Sequence, residues 1–235
     1  MLPEQLYRIN VARQARRAVA TVTELETGRT EVFIEGEAIT GSAAVAVEAA
    51  FRSGKPGILQ GGEQPVFINV YLPPPRIVVI GAVHISQALA GLAPIAGLDL
   101  TIIDPRSAFA TPERFGHTKL LAEWPDEALA HVPLDAHTAL VAVTHDPKID
   151  DVPLKAALDA GCFYVGALGS RKTHAGRVER LSALGVDQEA IARIRAPIGL
   201  DIGASSPAEI AVAILAEIIQ ALRRRDVAGD RRGAA

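Results

Sequence analysis

The stretch RIVVIGAVHISQALAGLAPIAGLDLTIID, residues 76–104, decides the fold. A short run of branched apolar residues ends at Gly81. A helical pattern then covers residues 84–97, and a second apolar run, residues 98–104, closes on an acid. Short, nearly continuous apolar strands separated by helices mark a parallel sheet covered on both faces. The alternation continues downstream. Residues 139–146 and 162–169 read as strands, and residues 151–161, 171–185, 187–194 and 207–225 as helices. The expected fold is α/β, a doubly wound and mostly parallel sheet.

Upstream, three prolines at 73–75 lack backbone donors and enforce an extended join. Before them, residues 17–25, 30–36 and 65–72 are rich in β-branched residues and read as strands, with a helix over 42–54. The division expected is a small α/β module over 1–72 and the doubly wound domain over 73–235. The charged, glycine-bearing tail from residue 223 reads as a frayed end.

A formal net charge of -3 gives no general reason for nucleic-acid or membrane-surface binding, so any anion site must be local. The single cysteine, Cys162, excludes an intramolecular disulfide and a multi-cysteine metal site within one chain; it reads as a core residue. The N-terminus lacks the apolar region of a secretory signal and reads as a surface helix. No apolar run is long enough to span a bilayer, so a cytoplasmic location is expected.

In a doubly wound sheet, ligands collect beyond the carboxyl ends of the strands. The loop after the first strand, GAVHIS, resembles a dinucleotide loop in Gly81 and Ala82. Val83 stands where a second glycine would admit a pyrophosphate, Ser86 replaces the third glycine, and His84 opens the helix. Asp104, about twenty residues on, is placed to read a ribose hydroxyl or to pair with Arg106. Thr144, His145 and Asp146 follow a buried strand, with Asp150 a candidate N-cap. A metal at His145 and Asp146 lacks a clear third ligand. In VGALGSRKTH, residues 165–174, Gly166 and Gly169 permit tight turns and Ser170 can cap the helix. Arg171, Lys172 and His174 gather donors at its positive end, which favours a phosphate or similar oxyanion. Ser206, Pro207 and Glu209 form a capping box, leaving Asp201, between Gly199 and Gly203, to order its loop or to touch a ligand. No nucleophile-and-base motif is present.

The same clusters resemble the XdhC and CoxI family of xanthine dehydrogenase accessory factors. The matching stretches are PPPRIVVIGAVHISQALAGLA, TIIDPRSAFATPERF, VTHDPKIDD, YVGALGSRKTHAGRVERL and IRAPIGLDIGASSPAEIAVAILAEI, together spanning roughly residues 73 to 220. The resemblance implies a Rossmann-like domain in a cytoplasmic maturation factor, and the lack of a catalytic dyad suits one that performs no turnover of its own. Such a chaperone binds the molybdenum cofactor, as molybdopterin or its cytidine dinucleotide, and delivers it to an apo molybdenum hydroxylase such as xanthine dehydrogenase or aerobic carbon monoxide dehydrogenase. A cysteine desulfurase partner is also implied for some members. Before Pro73 the resemblance weakens: Gly61, Gly62 and Glu63 compress the glycine-rich signature of longer members, so the N-terminal module is read as reduced.

Two other readings stand beside the chaperone. The first loop and Asp104 suit an NAD(P)-dependent oxidoreductase. The basic stretch RRRDVAGDRR, residues 223–232, and the arginine-bearing helix of residues 171–181, with Arg177 and Arg180, suit a protein-docking face. The apolar last helix could bury a homodimer face or its own sheet.

Overall fold

The computed structural model describes residues 1–60 and 64–230, in two compact units, Met1–Pro73 together with the chain from Arg223, and Pro74–Leu222. Gly61, Gly62 and Glu63 lie outside the described residues, as do residues 231–235.

The first unit runs α1 (Pro3–Gln14), β1 (Val19–Glu24), β2 (Thr30–Ile34), α2 (Ala44–Ser53), β3 (Gly57–Leu59) and β4 (Val66–Tyr71). Its strands form an antiparallel sheet in the order β2-β1-β4-β3. Alternation along β1 explains why two helices are needed: Val19 packs with Ile9 and Ala12 of α1, whereas Ala20 and Val22 pack with Val47, Ala50 and Phe51 of α2.

The second unit has six parallel strands, β5 (Arg76–Ile80), β6 (Asp99–Ile103), β7 (Lys119–Leu121), β8 (Thr138–Ala142), β9 (Tyr164–Ala167) and β10 (Ile194–Arg195). Their order is β10-β9-β8-β5-β6-β7. The helices are α3 (His84–Leu92), α4 (Pro112–Phe115), α5 (Pro125–His131), α6 (Pro147–Asp159), α7 (Arg171–Ala183), α8 (Gln188–Ile191) and α9 (Pro207–Asp230). Ile77 and Val79 share one core with Ile85 and Leu89 of α3 and Ile214 and Ile218 of α9. The intervening Val78 and Ile80 share the other with Leu154 of α6 and Leu181 of α7. Both faces of the sheet are therefore covered, as the apolar runs require. The chain leaves β5 toward β6 and leaves β8 toward β9, so the connections diverge between β5 and β8. In sheets of this class such a divergence is the position where ligands commonly bind.

The structure departs from the sequence expectations in several places. It adds the short β7, α4, α5 and β10, which the sequence does not announce because two to seven residues carry too little periodicity. Helix α6 starts at Pro147 rather than 151. Asp146 is its N-cap, accepting from the Lys148 N–H at 2.9 Å, and proline occupies the first helical position. Gly166 is not a turn residue but lies inside β9, where a Cβ would meet Ile198 at 2.6 Å. The last helix runs past residue 223, with α9 continuing to Asp230.

Candidate functional site

The loops after β5, β8 and β9 emerge side by side from adjacent strands, spanning about 10 Å at the usual strand spacing. Gly81 has φ +117, and a Cβ there would lie 2.8 Å from Thr144 Cγ2, so only glycine lets the β5 and β8 loops approach this closely. The buried Ser86 hydroxyl donates to the Gly81 carbonyl and closes the turn. Val83 is the N-cap of α3, and no side chain caps that helix; His84 is exposed at its start.

Asp104 is fully buried and saturated. Its Oδ2 accepts from the Ala82 N–H and Arg106 Nη2, both at 2.7 Å, and its Oδ1 accepts from the Arg106 N–H and Nε, both at 2.9 Å. Burial works to raise its pKa, but the Arg106 side chain and the two backbone N–H groups outweigh it and hold the acid below the usual carboxylate value. Arg106, held above its ordinary value chiefly by that pair, lies over Phe109 at 4.6 Å and also feels Asp146 and Asp150. Arg114 fastens the region from outside, donating to the carbonyls of Ala82 at 2.9 Å and Phe109 at 2.7 Å.

The β8 loop is built around Asp150, which is 2% exposed. Contrary to the sequence expectation, it does not cap α6. Its Oδ1 accepts from the Thr144 hydroxyl at 2.7 Å, and its Oδ2 from the His145 N–H at 3.1 Å. Thr144 Oγ1 in turn accepts from the Asp146 N–H at 3.0 Å. These bonds hold His145 at φ +67, a left-handed conformation uncommon outside glycine, with the residue exposed. Burial pushes the Asp150 carboxyl up to about 6, against the opposing pull of Thr144, Arg177 and the His145 N–H.

At the β9 loop, Gly169 has φ +135 and Ser170 caps α7, accepting from the Thr173 N–H at 3.2 Å. Arg171 and Lys172 are exposed in the first turn, and His174 is half-buried. Burial, and secondarily Arg177, lowers the His174 pKa. Arg177 does not lie on a docking face. It is 2% exposed, donates through Nη2 to the Leu168 carbonyl at 2.9 Å, and its Nε has no hydrogen-bond partner among the described residues. Arg180 is also engaged, donating to Asp151 through Nε at 2.5 Å and Nη2 at 3.1 Å.

The XdhC Rossmann domain profile matches residues 77–218, the stretch that carries all of these loops. The chain belongs to the XdhC family. It is 34% identical over 160 residues to the uncharacterized protein YqeB of Escherichia coli (strain K12), covering 68% of this chain and 30% of that protein. It is 32% identical over 160 residues to a probable xanthine dehydrogenase subunit of Bacillus subtilis (strain 168), covering 68% and 46%. Over 148 residues it is 32% identical to the molybdenum cofactor insertion chaperone PaoD of Escherichia coli (strain K12), covering 63% and 40%. The chain thus spans between 30% and 46% of the length of these relatives. A crystal structure of a xanthine dehydrogenase from Bacillus halodurans shares its fold, with a TM-score of 0.62 at 24% identity, over 94% of this chain and 65% of that one.

Within this XdhC domain, Gly81, Ala82, His84, Asp104, Arg106, Thr144, His145, Asp146, Gly169, Ser170, Arg171, Lys172 and His174 all fall at one edge of the sheet. Asp201 lies exposed in the connection from β10 to α9, and among the described residues no hydrogen bond or ion pair joins it to them. The capping box at Ser206 forms: Glu209 Oε2 accepts from the Ser206 N–H at 2.9 Å, and the Glu209 N–H donates to Ser206 Oγ at 3.2 Å. Sequence reasoning missed the buried roles of Asp150 and Arg177. The available signal was an acid and an arginine at helix positions that the apolar period turns inward. Among the described residues, no three of His, Cys, Asp and Glu gather as a metal site requires, and no helix is long and apolar enough to cross a membrane.

Proposed function

We propose that this XdhC chain is a maturation factor for a molybdenum hydroxylase. It holds the molybdenum cofactor, as cargo, at the carboxyl ends of β5, β8 and β9 and passes it to the apo-enzyme. The observation that carries the reading is the convergence, at one edge of the sheet, of the α7 N-terminus with its exposed Arg171 and Lys172 and the polar Thr144–Asp146 turn. The first suits a phosphate, through helix-end N–H groups and cations acting together. The second offers donors and acceptors to a pterin edge within about 10 Å, two strand spacings away. The names of two relatives, the insertion chaperone PaoD and the Bacillus subtilis xanthine dehydrogenase component, support the same class of cargo and client.

In this reading the cargo is assigned wholly to residues 73–235, with 1–72 a separate module. A cysteine desulfurase and a second copy of the chain complete the set of partners, all in the cytoplasm. The saturated Asp104 favours pterin cargo over NAD(P). An acid with both oxygens already committed to four donors has no acceptor left for a ribose diol.

The test is anaerobic binding of molybdenum cofactor to the wild type and to Arg171→Ala/Lys172→Ala, with NAD(H) titrated in parallel. Cofactor binding that the double variant weakens at least tenfold is the expected result. Binding of NAD(H) alone would overturn the reading in favour of an oxidoreductase.

A further inference from the structure

The crevice loops after β8 and β9 are not independent. Beneath them lie two buried groups of opposite charge, Asp150 on α6 and Arg177 on α7, each 2% exposed. Asp150 grips the β8 loop through the Thr144 hydroxyl and the His145 N–H. Arg177 grips the end of β9 through the Leu168 carbonyl, one residue before the Gly169 turn. Asp151 and Arg180 pair alongside, tying the same two helices together.

Burying a carboxylate and a guanidinium is costly, and an apolar pair would serve packing at least as well. Holding His145 in the left-handed region adds a further cost, of a kind that persists only where the surroundings enforce it. Three costs at the floor of one crevice call for a shared purpose. We propose that Asp150 and Arg177 form a buried brace that positions both ligand-facing loops. In it, Asp150 fixes the left-handed turn that presents His145 to the cargo, Arg177 holds the strand end before the Gly169–Ser170 turn, and the Asp151–Arg180 pair joins the two helices that carry them. Both are positioning residues. The brace deepens the chaperone reading and rests on it for the identity of the cargo.

The test combines amide hydrogen exchange, which needs no ligand, with anaerobic binding of molybdenum cofactor. In Asp150→Ala, exchange is expected to rise at 144–146 and also at 168–174, and cofactor affinity to fall about tenfold, the scale of one enforced left-handed residue. Asp150→Asn, isosteric and able to satisfy both bonds by turning its amide, should keep the loops protected if the alanine variant folds poorly. In a His145→Gly background, where the left-handed turn costs nothing, Asp150→Ala should weaken binding markedly less than in the wild type.

Exchange confined to 144–146, or an equal loss of affinity in both backgrounds, would overturn the brace. Failure of the wild type to bind cofactor while exchange still spreads to 168–174 would remove the cargo assignment and leave the brace standing.

Discussion

The Arg106 guanidinium closes on Asp104 with two parallel hydrogen bonds, Nε to Oδ1 at 2.9 Å and Nη2 to Oδ2 at 2.7 Å. The same carboxylate also accepts from the Ala82 N–H. The acid that closes the second apolar run therefore ties the β6 loop to the first crevice turn. Asp104→Ala takes the acceptor from the buried Ala82 N–H and from a guanidinium that is one-third exposed and so partly rehydrated. It should lower stability by about 1–3 kcal/mol, read as a lower urea midpoint with an unchanged slope.

Gly81 is the point of closest approach between the β5 and β8 loops. Gly81→Ala combines a positive φ with a Cβ pressed onto Thr144 Cγ2, and should cost about 1–3 kcal/mol. Replacing Thr144 by serine removes that methyl and keeps the hydroxyl bonded to Asp150. The double variant Gly81→Ala/Thr144→Ser should therefore regain part of the loss in a thermal melt.

Asp150 gives stability a definite slope with pH. Its carboxyl titrates at about 6 in the folded chain, above its ordinary 3.8, so the native state holds the proton more tightly than the unfolded one. The resulting stabilisation is present below about pH 4 and is lost as pH rises through 6, amounting to about 3 kcal/mol across that window. Asp104 acts in the opposite sense, because its lowered pKa gives stability that is lost only at more acid pH. Urea midpoints of wild type and Asp150→Asn measured from pH 4 to 7 isolate the first effect. The variant should gain on the wild type as pH rises, and parallel curves would show that the burial cost is not felt.

Cys162 is buried in the second core, and burial drives its thiol up to about 12. A thiol so placed offers almost no thiolate near neutrality. Native protein should resist iodoacetamide at pH 8 and be alkylated fully once unfolded in guanidinium, as intact mass would show.

The strands and long helices of the second unit were legible because each of them must bury apolar side chains at a fixed period. The caps at Ser170 and Ser206 are equally local, since a helix start needs an acceptor within three residues, whereas Asp146 rather than Asp150 caps α6. The candidate site was legible as a set of polar clusters after strands, since a parallel sheet brings those positions to one edge. What each polar residue does there was less so. Asp104 could read a ribose or pair with Arg106, and only the distances show it saturated. Arg177 reads in the sequence as part of an exposed docking face, yet the packing of α7 against α6 encloses it.

By itself, then, the sequence determined the doubly wound fold, the strand ends at which the candidate site lies and the polar, cationic start of α7, all consequences of short-range periodicity and capping. The tertiary structure alone decided which charges are free to meet a ligand and which are spent inside. Arg171 and Lys172 face solvent, whereas Asp104, Asp150 and Arg177 are buried. The physical reason is that burial and hydrogen-bond saturation depend on neighbours far away in the chain. Asp104 is closed by Ala82, 22 residues earlier, and the charge that bears on Asp150 comes from a different helix.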